Sequence, residues 1–135
     1  MLPKKILLAE DDIDDQAFLT EFLGARKELM LLPIVENGEE LLDFLVNTPQ
    51  AQNLPDIIIL DQNMPKLNGL QTLHILKENE AYRHIPVVIY TTNPDDKLRH
   101  RCTISGAALV FPKPYSPEGY GKLVDVLLNL IGSLS

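Results

Sequence analysis

Asp61 follows directly on Ile57–Leu60, an unbroken apolar run in which three of four residues are β-branched. A run that short and that apolar reads as a strand buried on both faces. A carboxylate at its end is costly unless it sits at the strand's open end or has a partner. Three other strand-like stretches end in complementary groups. KKILLA runs into Glu10-Asp11-Asp12, IPVVIY into Thr91 and Thr92, and the stretch ending at Phe111 into Lys113-Pro114. Strand axes in a sheet lie about 4.8 Å apart. If the first and third strands are neighbours, Glu10, Asp11 and Asp61 therefore share one crevice. At an effective dielectric of 20, two like charges about 5 Å apart repel by roughly 3 kcal/mol. Such a cluster keeps a proton or binds a cation, and carboxylates and carbonyls that leave room for water suit Mg²⁺. Metal site, nucleophilic carboxylate, hydroxyl donor and fixed cation together are the equipment for moving a phosphoryl group.

The elements that must position these groups alternate five times between strand and helix. Strands are expected at Lys4–Ala9, Leu31–Val35, Ile57–Leu60, Ile85–Tyr90 and Ala108–Phe111. The first helix is expected over Asp14–Glu28, with Ala17, Phe18, Phe22 and Ala25 inward. Asn37 with Glu40 opens the second in a capping-box-like pair, and Leu41, Leu42 and Leu45 form its inner face. Leu70, Leu73 and Leu76 mark the third. Asn93-Pro94-Asp95-Asp96 reads as N-cap, N1 proline and first-turn acids of the fourth. Ser116-Pro117 caps the fifth, whose core face is Tyr120, Leu123, Val124, Leu127 and Ile131. Asp12, Asp14 and Asp15 read as helix-start acids favoured by the dipole. Gly69 and Pro65 read as turn formers.

Five βα units with short connections give an α/β fold, a parallel sheet with helices on both faces. Proline cannot donate to a ladder and favours edges. Pro33 and Pro112 therefore mark strands two and five as the edges. Right-handed crossovers then favour a flavodoxin-like (βα)5 sheet in the order 2-1-3-4-5. Its direction reverses between strands one and three, so the ligand crevice belongs there.

Composition narrows the function. The chain has 135 residues, 45% of them hydrophobic, and a net charge of −7, with a pI near 4.8. One domain over 1–135 with a real core is expected, with no effector domain. The acidic balance argues against nucleic-acid and membrane-surface binding. No stretch approaches a membrane span or a signal peptide, so the expected location is cytoplasmic. The lone Cys102 excludes an internal disulfide. His74, His84 and His100 lack metal-ligand spacing. Lys97, Arg99, His100 and Arg101 read as a solvated helix face.

KILLAEDD, IIILDQNMPKLNG, IPVVIYTT and the Lys-Pro of FPKPY, in this order and spacing, resemble the receiver domain of bacterial two-component response regulators over nearly the whole chain. The resemblance implies a single-domain signalling phosphoprotein that is not an enzyme in its own right. Asp61 would accept a phosphoryl group from the phosphohistidine of a sensor histidine kinase or a histidine phosphotransfer protein. Asp11 would bind Mg²⁺ directly, Glu10 through water, and Asn63 by its backbone carbonyl. Thr91 would hydrogen-bond the phosphoryl group. Lys113 would pair with it, oriented by a cis peptide to Pro114. Output would pass by protein–protein contact through the fourth helix, fifth strand and fifth helix to an unknown downstream protein. A homodimer through the same face stays open. VENGEELLDFL and Thr91-Thr92 are similar to single-domain regulators paired with phytochrome-like kinases.

The sequence departs from the family pattern in three places. Val110 stands where the family usually carries an aromatic three residues before the lysine. Thr92 stands where a smaller residue is usual, and Pro112 precedes Lys113. Val110 motivates an alternative, a receiver-like interaction module that is indifferent to phosphorylation. A remoter one is an aspartyl phosphatase of the haloacid-dehalogenase type. Those enzymes need a second Asp two residues after the nucleophile, where this chain has Asn63.

Overall fold

The computed structural model describes residues 2–132; Met1 and residues 133–135, which the sequence reading leaves at the ends of the domain, lie outside them. The chain runs β1 (Lys4–Ala9), α1 (Ile13–Gly24), β2 (Leu29–Leu31), α2 (Gly38–Val46), a 3-10 turn (Ala51–Asn53), β3 (Ile57–Asp61), α3 (Gly69–Glu78), β4 (Val87–Thr91), α4 (Asp96–Ile104), β5 (Leu109–Pro112) and α5 (Pro117–Gly132). The sheet is parallel throughout, in the order β2-β1-β3-β4-β5. The edges are β2 and β5, as expected, although Pro33 lies beyond the Leu31 end of β2 and not inside it.

Successive side chains of a strand leave opposite faces, and the inner strands are apolar on both. Leu7, Ala9, Ile58, Leu60, Val87, Ile89 and Val110 pack with Leu41, Leu45, Leu73 and Leu76, beneath α2, α3 and α4. Ile6, Leu8, Ile57, Ile59, Val88 and Tyr90 pack with Leu19, Leu23, Tyr120, Leu123 and Leu127, beneath α1 and α5. All five residues of β3 are buried, Asp61 included.

Several local expectations need correction. Pairing of the second strand begins at Leu29 and stops at Leu31, with a single bridge at Val35. Leu32 N–H donates to Ile6 O and Val35 N–H to Leu8 O, so three residues of one strand face two of the other. The proline inside that step has no N–H to give. Helix α1 ends at Gly24, and its buried residues are Leu19 and Leu23, with Ala17 and Ala25 outside. Phe18 and Phe22 instead stack on the Tyr120 ring of α5. α4 is capped by Asp95, which accepts from Leu98 N–H, two residues after the expected Asn93. No peptide bond among the described residues is cis, so Lys113–Pro114 is trans, the lower-energy isomer.

Candidate functional site

Four strands deliver the site at one rim. Ala9 pairs with Leu60, Asp61 with Tyr90, and Thr91 with Pro112, so the residues after β1 and β5 fall beside the ends of β3 and β4. The period-two alternation then sorts the side chains. Glu10 continues the series Ile6, Leu8; Asp61 continues Ile57, Ile59; Tyr90 follows Val88; Lys113 follows Leu109 and Phe111. All four belong to the face covered by α1 and α5. Thr91 follows Val87 and Ile89, the series that packs beneath α2, α3 and α4.

The loop from Asp61 to Gly69 closes tightly behind the site. Gln62 accepts Gly69 N–H on its backbone carbonyl and Leu70 N–H on its side chain, which satisfies donors that the start of α3 would otherwise leave unpaired. A Cβ on Gly69 would lie 2.9 Å from the Asp61 carbonyl oxygen. Its role is thus close approach, where the sequence suggested a turn. Lys66 supplies the left-handed residue of the loop, with φ of 68°. Asn68 and Gln71 complete a reciprocal capping box at α3.

Lys113 Nζ stands 2.9 Å from Glu10 Oε1, 2.8 Å from Asp15 Oδ2 and 3.1 Å from Asp61 Oδ2. Its backbone N–H donates to Thr91 O, which fixes the stem of the side chain against β4. The ammonium also lies over the Tyr90 ring, 5.1 Å from the centroid. Glu10 is fully buried. It accepts from Asp12 N–H through one oxygen and from the Tyr90 hydroxyl through the other. Burial pushes the Glu10 carboxyl up to about 7, against the hydrogen bonds from Tyr90, Asp12 N–H and Lys113, which favour the anion. The carboxylate partners hold Lys113 above its ordinary range despite its burial. Burial, and then the neighbouring Glu10 charge, push Tyr90 far up, so it stays a neutral donor.

Glu10, Asp11 and Asp61 each offer a carboxylate oxygen, all within 4.8 Å of one another. Asp11 is exposed and Asp61 almost wholly buried. Three hard oxygen donors around one point match a hard divalent cation. A cavity of about 480 Å³ opens in front of them, bordered by Asp11, Asp12, Asp61, Asn63, Thr92 and Lys113.

The structure therefore brings Glu10, Asp11, Asp61, Asn63 and Lys113 together. Asn63 N–H donates to Asp61 Oδ1. Thr91 is at the same rim and 3% exposed; Thr92 borders the cavity. Asp12, read as a helix-start acid, is the N-cap of α1 and accepts from Asp15 N–H. Asp15 stands in the first turn of α1, as its reading as a helix-start acid implies, and in addition pairs with Lys113. Tyr90 was read only as the apolar end of a strand, although its shared parity with Asp61 and Lys113 is a signal that could have found it. Val110 is buried in the opposite layer. Of the basic cluster on α4, Arg99 turns inward and donates to Val110 O.

The response regulator receiver domain family model matches residues 6–125. The chain is 37% identical over 100 residues to response regulator Rcp1 of Synechocystis sp., covering 71% of this chain and 68% of that protein. It is 25% identical to sensor histidine kinase TmoS of Ectopseudomonas mendocina over 93% of this chain, but spans only 12% of that protein's length. The Mn²⁺-bound form of Rcp1 superposes with a TM-score of 0.79 at 28% identity, covering 93% of this chain and 91% of that one. The phosphorylated cyanobacterial phytochrome response regulator RcpA shares the fold, with a TM-score of 0.84 at 24% identity over 98% and 96% of the two chains.

Proposed function

The chain belongs to the response regulator receiver domain family, and from that premise we propose that it accepts a phosphoryl group on Asp61 and signals by phosphorylation-dependent protein contact. The observation that carries this reading is the setting of Asp61. It is a carboxylate at the end of a buried strand, 1% exposed, with an ammonium 3.1 Å away and two further acids close enough to share a cation.

Glu10, Asp11, Asp61 and the Asn63 carbonyl would hold Mg²⁺, which when bound offsets the charge of the phosphoryl oxygens. One Asp61 carboxylate oxygen attacks phosphorus. The new O–P bond forms as the bond to the donor's imidazole nitrogen breaks, and that nitrogen keeps the electron pair. Lys113 places its positive charge beside the incoming oxygens. Thr91, which ends β4 at the same rim, would donate its hydroxyl to the phosphoryl group. In this reading the domain is a cytoplasmic phosphoacceptor with no separate substrate to turn over. Its donor is a sensor histidine kinase or histidine phosphotransfer protein, and the phytochrome-like kinases are the favoured class. Output passes through α4, β5 and α5, where Arg99 ties the helix to the strand.

Incubation with acetyl phosphate and Mg²⁺ followed by intact mass tests this. One added phosphoryl group is expected, absent from Asp61→Asn; label persisting in that variant rejects the assignment. Val110, buried where the family usually has a mobile aromatic, favours one second reading, binding that ignores phosphorylation. Equal affinity of a captured partner with and without acetyl phosphate would select it.

A further inference from the structure

An ammonium has three N–H donors, and those of Lys113 face three carboxylates. Glu10 and Asp61 belong to the group that can hold a cation. Asp15 does not. It is the third residue of α1, and its backbone N–H is fixed by the Asp12 cap. Its contact with Lys113 spans 98 residues of sequence and is the shortest of the three, at 2.8 Å. On its far side stands Tyr120 of α5, which burial and then the Asp15 charge push above its ordinary range. Asp15 is thus wedged between the amine of the site and the aromatic stack of Tyr120 with Phe18 and Phe22.

We propose that Asp15 is the positioning residue for Lys113 during phosphoryl transfer, sharing the ammonium with Asp61 so that the nucleophile is not held by it alone. The inference rests on Asp61 being the phosphoacceptor. An arriving phosphoryl group brings anionic oxygens to an amine whose donors are all engaged, so one carboxylate must release its hold. Attack by an Asp61 oxygen on phosphorus forms the O–P bond while acetate leaves acetyl phosphate with the bonding electrons. Asp61 thereby ceases to be an anionic partner for the amine. Asp15 takes part in neither the cation cluster nor the new bond, so it keeps its hold before and after transfer. Without it, the ammonium settles on Asp61 and Glu10, draws on the lone pair that must attack, and loses the fixed point from which it meets the product.

The test uses the full chain with acetyl phosphate and Mg²⁺, following labelling by intact mass across donor concentrations, beside calorimetric Mg²⁺ titration. A charge-assisted hydrogen bond of ordinary strength sets the scale. Asp15→Asn is expected to lower the maximal labelling rate about tenfold, with donor half-saturation and Mg²⁺ affinity within about twofold of wild type. Asp15→Glu, whose carboxylate still reaches the amine, should recover at least about a third of the rate. A merely structural role would not separate the rate from both binding constants or respond to the restored charge. Wild-type or faster labelling in Asp15→Asn, or a Glu variant no better than the Asn variant, overturns the proposal. Asp61→Asn run alongside separates the two failures: persistent label there removes the premise, whereas lost label with an unaffected Asp15→Asn removes this inference alone.

Discussion

Replacing Tyr90 with Phe removes one oxygen from the interior and nothing else. The ring volume stays, as does the ring face beneath Lys113, so the fold is retained. What is lost is the hydroxyl that donates to Glu10 Oε1. Burial already lifts Glu10 to about 7, and the Tyr90 hydrogen bond is the largest of the effects opposing that rise. A hydrogen bond to a charged group is worth about 1.5–3 kcal/mol. At about 1.36 kcal/mol per tenfold change, its loss moves ionisation of Glu10 upward by roughly 1 to 2 pH steps. Near pH 7.5 the wild-type carboxylate is then mostly ionised and the variant's mostly protonated. If cation binding needs the anion, Mg²⁺ affinity of Tyr90→Phe falls roughly three- to twenty-fivefold at pH 7.5 and recovers toward the wild-type value above about pH 9. Calorimetric titration at half-unit pH intervals reads this directly. Superimposable pH profiles for the two proteins would refute the claim that Tyr90 keeps Glu10 ionised.

The same carboxyl makes a stability prediction. With Glu10 raised to about 7 from 4.5, the folded protein keeps a proton that the unfolded chain releases between those values. Its contribution to stability is therefore greatest at low pH and falls as pH rises from about 4.5 to 7, by up to about 3 kcal/mol. Urea midpoints in EDTA, compared between wild type and Glu10→Gln, should show this slope in the wild type alone. Gly38 should not accept a methyl group, because a Cβ there would lie 2.0 Å from Thr72 Oγ1. Gly38→Ala is expected to cost about 1–3 kcal/mol in urea denaturation. Asn68→Ala removes one half of the capping box of α3 and should cost about 1 kcal/mol in the same assay.

The parts of the fold that were legible in the sequence were those fixed by local chemistry. Pro33 and Pro112 named the edges because a missing N–H acts wherever the chain goes. The apolar run before Asp61 named the central strand because burial on both faces leaves no polar position to spare. The acids after Ala9 and the amine before Pro114 were then placed by strand order alone. What was missed depended on contacts between distant residues. Asp15 looks like any first-turn acid until α1 is laid against a lysine 98 positions away. Leu19 and Leu23 face inward where Phe18 was expected, because α5 offers Phe18 the ring of Tyr120. Asp95 rather than Asn93 caps α4; both are good caps, and composition does not choose between them.

Tyr90 has one more consequence. The chain contains no tryptophan and four tyrosines, so its near-ultraviolet emission comes from those four rings. Tyr115 is 99% exposed and Tyr120 is stacked on phenylalanines. Tyr90 alone has its phenol against an acid of the cation cluster. Whatever binds or leaves that cluster alters the partner of an intrinsic fluorophore, and the protein carries an optical gauge of its own occupancy without any added dye.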